Sequence, residues 1–381
     1  MKVLIVTEVI AGLGHLKAAK SLEKVFKLSY PNYEIKIEYS LSIFNKNIEK
    51  IVSFIYYNLI FYTPRLWGYI HHKESQKSSI SKKIISYILI PRLSKFIKKE
   101  KPELVIATHA CGLGALSILK EKHCFCLAAV FTDYQVNNYW VNKNIDYYFV
   151  PHKELKNELT IRYKVNPKII FDTGIPIDPI FSKKNKVKKN KCFLTGRNNI
   201  KLLIMGGGLG IGKIKELILL LNNLNTVSIY LTVITGANNL LYQELIKLKS
   251  KLDIPINIYE YSNNICYEMK KNDLLISKPG GLTISEALST QIPIIIYDSL
   301  PGQEEENAKF LLKMKSAIRV KEIKEIPCLI KYLYNNPKTI QKIMDYQFRI
   351  AKPNSSAEII KILGNNLNKS VLIKQKTGCI Q

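Results

Sequence analysis

Three glycine-bearing segments constrain this chain more than anything else in it. Each lies between a short apolar run and a helical run. Gly12-Leu13-Gly14-His15 follows Val3–Val6, and Gly206-Gly207-Gly208-Leu209-Gly210-Ile211-Gly212 follows Leu202–Met205. Lys278-Pro279-Gly280-Gly281-Leu282-Thr283 follows Leu274–Ser277. Glycine lets a backbone come close to a ligand, and the first turn of the next helix offers unpaired N–H groups to an anion. In open α/β sheets, ligands gather at the carboxyl ends of the strands.

The rest of the pattern agrees with that architecture. In the first half, short apolar runs at Leu104–Thr108, Leu127–Phe131 and Tyr147–Val150 follow Val3–Val6. Between them, His15–Lys27 places Leu16, Ala19, Leu22 and Phe26 on one helical face. In the second half, Ser228–Ile234, Ile256–Tyr259 and Ile294–Tyr297 join the two strands that precede the glycine loops. The alternation predicts an α/β chain of two doubly wound, Rossmann-like domains facing each other across a cleft. A length of 381 residues fits two such cores without a staple. The expected boundaries are 1–178, a basic linker at 179–199, 200–348, and 349–381 as a helix returning to the first domain plus a basic tail.

The second glycine loop nearly matches a P-loop, but Ile214 stands where a Ser or Thr must supply a hydroxyl to magnesium. No dinucleotide fingerprint can be threaded through it. The third loop is more informative. Thr283 and Glu286 are one helical turn apart and share a face, and a carboxylate there can accept from both hydroxyls of a ribose. Pro301-Gly302-Gln303-Glu304-Glu305-Glu306-Asn307-Ala308 groups amide and carboxylate side chains that suit sugar hydroxyls. No Asp-x-Asp occurs, so a metal clamp on a diphosphate lacks its usual ligands. The glycine loops, with Lys278, are expected to carry that charge. His15 opens a helix, where the dipole keeps an imidazole neutral and fit to abstract a proton. Asp133, at a strand's carboxyl end, is the second base candidate or the group that orients His15.

The net charge is +27, and only six of the 57 basic residues are arginine. Such a charge calls for an anionic partner. Residues 44–101 are the most distinctive stretch, with Tyr57, Phe61 and Trp67 followed by Lys82 and Lys83. Aromatic and cationic residues together suit a helix lying on a membrane surface. Ile51–Ile70 carries Asn58, Pro64 and Arg65, too polar a run for a spanning helix. Met1–Val6 is too short for a signal peptide and reads as a strand. Seven scattered cysteines suit a reducing cytosol rather than a disulfide scaffold or zinc site. Lysine spread along the chain without a recognisable module argues against nucleic acid as a partner.

These motifs together resemble one family. Gly12 and Gly14 before His15, Phe131-Thr132-Asp133, Thr173-Gly174-Ile175-Pro176-Ile177, Met205-Gly206-Gly207-Gly208, Ser277-Lys278-Pro279-Gly280-Gly281-Leu282-Thr283 and Pro301-Gly302-Gln303-Glu304 with Asn307-Ala308 span nearly the whole chain. It is similar to the GT-B glycosyltransferases that include the monogalactosyldiacylglycerol synthases and the processive diacylglycerol glucosyltransferases, family 28-like enzymes. The resemblance implies an inverting hexosyltransferase that takes a UDP-sugar as substrate, needs no cofactor or metal, and glycosylates a lipid acceptor. It implies a peripheral protein on the cytoplasmic face of an anionic membrane. Gly206, Gly207, Gly208, Lys278, Gly280, Gly281 and Thr283 would hold the diphosphate, Glu286 the ribose, and the backbone at Tyr261 and Ser262 the uracil. Gln303, Glu304 and Asn307 would select the hexose. Gly12 and Gly14 would shape the acceptor loop beside His15. Transfer to another lipid or a soluble acceptor, UDP-sugar epimerisation, and nucleic-acid binding are the alternatives.

Overall fold

The computed structural model describes residues 1–9, 12–63, 80–183, 199–224, 227–262 and 264–365. Within these, β1 (Lys2–Thr7), α1 (Gly14–Ser29), β2 (Glu34–Tyr39), α2 (Ser40–Phe44), α3 (Lys46–Tyr62), α4 (Ile80–Glu100), β3 (Leu104–Ala107), α5 (Leu113–Leu119), β4 (Cys126–Val130), β5 (Tyr147–Phe149), α6 (Lys153–Ile161) and β6 (Ile170–Phe171) build the first unit. Its strands pair in the order β2-β1-β3-β4-β5-β6, all parallel. A strand covered on both faces can be apolar throughout, and Val3–Val6 and Leu104–Ala107 are fully buried. Helix α1 buries Ala18, Ala19, Leu22, Val25 and Phe26.

The second unit runs β7 (Asn199–Met205), α7 (Ile214–Asn222), β8 (Ser228–Ile234), α8 (Asn239–Lys249), β9 (Ile256–Tyr259), α9 (Ile265–Lys271), β10 (Leu274–Ser277), α10 (Gly281–Thr290), β11 (Ile294–Ile296), α11 (Gln303–Lys313), β12 (Ile318–Arg319), α12 (Ile326–Asn335) and α13 (Pro337–Ile350). Its parallel sheet has the order β12-β11-β10-β7-β8-β9.

Strand order reverses beside β1 in one sheet and beside β7 in the other. At such a point the loops part and leave a crevice outside the strand ends. The four loops that leave β1, β3, β7 and β10 therefore meet at the two crevices. This is why the glycine segments, nearly two hundred and seventy positions apart in sequence at their extremes (roughly, from residue 12 to 281), converge in space.

The chain crosses between units twice. Ile175, Ile177 and Phe181 join the core of the second unit. A helix over 355–365 returns to the first, where Ile359, Ile360 and Leu363 pack with Leu22, Phe26 and Ile106. Ser356 Oγ donates to Ile177 O at 2.7 Å and ties the two crossings together.

The aromatic-basic stretch forms α3 and α4, both packed on the short α2. Trp67 lies outside the described residues, as do 184–198 of the expected linker and the tail from 366. The two-residue strands β6 and β12 were absent from the sequence expectation, because so short a run carries no readable alternation.

Candidate active site

His15 sits in the first turn of α1, buried to 6% exposure. Its Nδ1 lies 2.7 Å from Thr132 Oγ1 and 3.2 Å from Thr108 O. A carbonyl oxygen can only accept, so the ring carries its proton on Nδ1 and keeps a lone pair on Nε2. Thr132 Oγ1 in turn donates to Thr108 O at 3.3 Å, which fits that tautomer. Burial lowers the His15 pKa, while the charge of Asp133 and the Thr108 hydrogen bond act the other way. The residue orienting His15 is thus Thr132 with the Thr108 backbone, not Asp133 as the sequence allowed. Asp133 still lines the cleft next to it.

His109 packs edge-on against His15 with ring centroids 4.5 Å apart. Its Nδ1 accepts from Cys111 N at 3.1 Å, leaving the proton on Nε2. Burial holds its pKa well below the ordinary value, and the neighbouring His15 adds to this. Two imidazoles in contact disfavour charge on either, which helps keep the pair neutral.

Across the cleft, the second unit supplies the rest of the wall. Gly206, Gly207, Gly208, Tyr261, Ser262, Lys278, Gly280, Gly281, Thr283, Glu286, Gln303 and Glu304 line one cavity with Gly12, Gly14, His15 and Asp133. Gly207 has φ +71° with nothing within 4 Å of where a Cβ would project. Only glycine adopts this conformation readily while keeping the backbone bare to the cleft. The first N–H groups of α10 are orphaned by helix geometry and suit an anion. Lys278 is 4% exposed at the cavity floor, 3.4 Å from Glu304 Oε2. Its Nζ has no hydrogen-bond partner among the described residues. Glu304 is further fixed by Leu300 N at 2.8 Å, and burial raises its pKa against the opposing charge of Lys278. Burial also pushes the Glu286 carboxyl up to about 7.

Asn307 is the exception among the expected sugar-side residues. It is fully buried, and its amide is spent between the units. Its Oδ1 accepts from Tyr134 N at 2.7 Å, while Nδ2 donates to Asp133 Oδ1 at 3.1 Å and Pro279 O at 3.0 Å. Both Nδ2 hydrogens are used and the residue does not line the cavity, so it serves as a clasp between the units. The clasp continues on both sides. Tyr134 stacks on Phe310 with centroids 4.4 Å apart and shares a hydrogen bond with Ser285 Oγ at 2.9 Å. The Thr132 carbonyl rests where any side chain at position 281 would project. Gly281 is thus required by the contact between the units.

The membrane-side expectations divide. Lys83 is exposed, whereas Lys82 is turned inward, its Nζ donating to Asn138 O at 2.9 Å and to Val141 O. Burial pushes its pKa down to about 8. Lys82 is therefore an anchor for the 138–141 loop, not a surface cation. Tyr57 and Phe61 belong to α3, but their side chains lie outside the described ones. Among the described side chains, Ile51, Phe54, Ile55, Ile84, Tyr87 and Ile88 are the exposed large apolar residues of these helices.

Sequence reasoning missed Glu8. It is fully buried at the end of β1, where Oε1 accepts from Leu41 N at 3.0 Å and from Ser40 Oγ. It ties the strand that leads to His15 to the start of the aromatic-basic insertion. No motif announces it, because its partners are more than thirty positions away.

Among the described residues, no group of three or more His, Cys, Asp or Glu could hold a metal ion, and no helix is long and apolar enough to cross a membrane.

Two family models match the chain. Residues 15–177 match the monogalactosyldiacylglycerol synthase model, and residues 201–361 match the glycosyltransferase family 28 C-terminal domain. A processive diacylglycerol β-glucosyltransferase of Bacillus cytotoxicus is 28% identical over 362 residues, covering 92% of this chain and 90% of the relative. A Bacillus cereus protein of the same name is 28% identical, covering 93% of this chain and 92% of its own. Among solved structures, MurG of Acinetobacter baumannii is similar at a TM-score of 0.63 and 12% identity, covering 96% of this chain and 99% of that one. A UDP-GlcNAc 2-epimerase of Neisseria meningitidis bound to UDP-GlcNAc has a TM-score of 0.59 at 16% identity, covering 96% and 100%. These two structural likenesses speak for the GT-B arrangement alone.

Proposed function

The chain belongs to the glycosyltransferase family of the monogalactosyldiacylglycerol synthases and the family 28 enzymes, and from that membership we propose that it moves a hexose from a UDP-sugar to the hydroxyl of diacylglycerol or a glycosyl-diacylglycerol. One observation carries the reading: a neutral, oriented His15 stands across a single cavity from the glycine turns and the N-terminus of α10. In this reading residues 1–178 receive the acceptor and residues 200–348 hold the donor.

The chemistry is a single displacement at the anomeric carbon, with inversion. His15 Nε2 takes the acceptor hydroxyl's proton as the oxygen attacks. The bond to the β-phosphate oxygen breaks, and UDP leaves with that electron pair. Charge gathers on the leaving diphosphate. The N–H groups at the start of α10, the Gly206–Gly208 turn and the Lys278 ammonium stabilise it there, because preorganised donors cost nothing to reorient at the moment of reaction. Lys278, held 3.4 Å from Glu304 Oε2, lines the same cavity as these turns. We read the reaction as metal-independent, with these groups in the place of a cation. Glu286 receives the ribose hydroxyls, the backbone near Tyr261 and Ser262 the uracil, and Gln303 and Glu304 the hexose.

The insertion serves acceptor delivery. Phe54 is 70% exposed and Tyr87 66% exposed on helices that also carry Lys83, Lys95, Lys98 and Lys99. Apolar side chains between lysines suit an anionic bilayer surface, where each lysine adds about 1 kcal/mol. In this reading the enzyme works as a peripheral protein on the cytoplasmic face of the membrane.

The test is mass spectrometry of lipids after incubation of the protein with UDP-glucose, UDP-galactose or UDP-N-acetylglucosamine and diacylglycerol-containing vesicles, with and without a chelator. Hexosyl-diacylglycerol formed equally in both supports the reading. Sugar interconversion without lipid product points to an epimerase instead. Vesicle flotation at low and high salt tests docking: binding only to anionic vesicles, weakened by salt, is expected.

A further inference from the structure

One cation reaches over the cleft from the acceptor side. Lys17, on α1 just past His15, holds Nζ 4.9 Å from the centroid of the Tyr261 ring. Lys17 and Glu286 both line the main cavity, and both line a second cavity that adjoins it. A lysine of the first unit thus lies among the residues read as the base and ribose contacts of the second. No motif points to it, since the helix spacing of α1 leaves it simply as a polar position.

We propose that Lys17 is a positioning residue for the donor nucleoside: its ammonium, held across the cleft over Tyr261, pairs electrostatically with Glu286 and fixes that carboxylate as the acceptor for both ribose hydroxyls. The inference rests on Glu286 being the ribose contact.

The surroundings of Glu286 leave Lys17 as its main cationic influence. The adjoining cavity also presents Lys20 and Lys24 from α1, Asp178 from the crossing segment, and Cys266 from α9. Lys24 is engaged by Asp178, with Nζ 2.8 Å and 2.9 Å from the two carboxylate oxygens. Burial raises the Cys266 thiol's pKa, so it stays neutral. Burial raises the Glu286 pKa, the Lys17 charge opposes this, and Asp178 adds to it. Removing Lys17 leaves burial and Asp178 unopposed. The carboxyl then holds its proton at neutral pH and can no longer accept from two hydroxyls.

The test titrates UDP and uridine separately into full-length wild type, Lys17→Met, Lys17→Arg, Glu286→Gln and the double variant, between pH 6 and 9. Lys17→Met should weaken uridine and UDP by the same factor, about fivefold at pH 7, where the wild-type carboxyl, with a pKa of about 7, is already half protonated. The loss should shrink toward pH 9, Lys17→Arg should restore most of it, and Lys17→Met should add nothing to Glu286→Gln. Equal wild-type and Lys17→Met affinities at every pH would overturn the proposal. A loss confined to UDP would do so too, making Lys17 a diphosphate contact. Effects of Lys17→Met and Glu286→Gln that simply add would also exclude the coupling. A Glu286→Gln variant that binds as tightly as wild type, or a wild type that binds neither ligand, removes the ribose reading itself, and the proposal falls with it.

Discussion

His15 Nδ1 and Thr132 Oγ1 lie 2.7 Å apart, and the same Thr132 presents its carbonyl to the start of α10 through Gly281. The base candidate and the donor helix are therefore held by one residue. The spacing between His15 and the start of α10 is thus set by a short stretch of chain, not by the two sheets separately.

Replacing His15 by Ala should lower kcat about 10²–10⁴-fold, with UDP affinity preserved by calorimetry. Burial lowers the imidazole pKa from 6.5. The ring is then neutral and active throughout pH 7–9, and the acid limb of kcat falls below pH 6.5. Thr132→Val keeps the volume but loses the Nδ1 partner, and should lower kcat about tenfold while donor KM stays constant. A limb centred above pH 7 would show that His15 is not the titrating base.

Gly281→Ala tests the contact between the units. The added methyl meets the Thr132 carbonyl, which is backbone and cannot swing away. Overpacking of this kind costs about 1–3 kcal/mol. A lowered Tm together with lost transfer is expected. An unchanged Tm would mean that the units do not close on this contact.

Asn307 and Gln303 should behave differently, although both stand in the same short motif. Asn307→Leu strands the buried Tyr134 N–H, at about 1–3 kcal/mol, and should lower Tm while leaving sugar preference alone. Gln303→Ala should shift the preference among UDP-sugars at constant Tm. Thermal unfolding and competition between two UDP-sugars read both.

Glu8 gives stability a pH dependence. Burial pushes its folded pKa up to about 7 from 4.5, against the lowering hydrogen bonds from Ser40 and Leu41. A carboxyl whose folded pKa is raised favours the folded state fully below the unfolded pKa. That contribution is lost as pH rises through the folded value. Between pH 4.5 and 7 the cost grows to roughly 3 kcal/mol. Glu8→Gln should flatten urea-derived stability over this range. A slope identical to wild type would show that Glu8 ionises freely.

Most of the architecture was legible because parallel strands buried on both faces are continuous apolar runs, and because glycine loops mark strand ends. The cleft wall could be read for the same reason: residues such as Gly206, Gly280 and Glu286 stand at fixed offsets from those ends. Asn307 and Lys82 were misplaced because an amide or an ammonium looks the same in sequence whether it meets a ligand or a distant backbone carbonyl. Thr108 and Glu8 were overlooked, and Thr132 was read only as part of a motif, for the matching reason. Their roles come from neighbouring strands that only the sheet order brings together.

The most direct measurement is a structure of the protein with UDP. The account predicts the diphosphate over Gly206–Gly208 and the first turn of α10, within reach of Lys278, with the ribose on Glu286 and the open side facing His15. A nucleotide bound on the first unit, or one whose phosphates point away from α10, would contradict it.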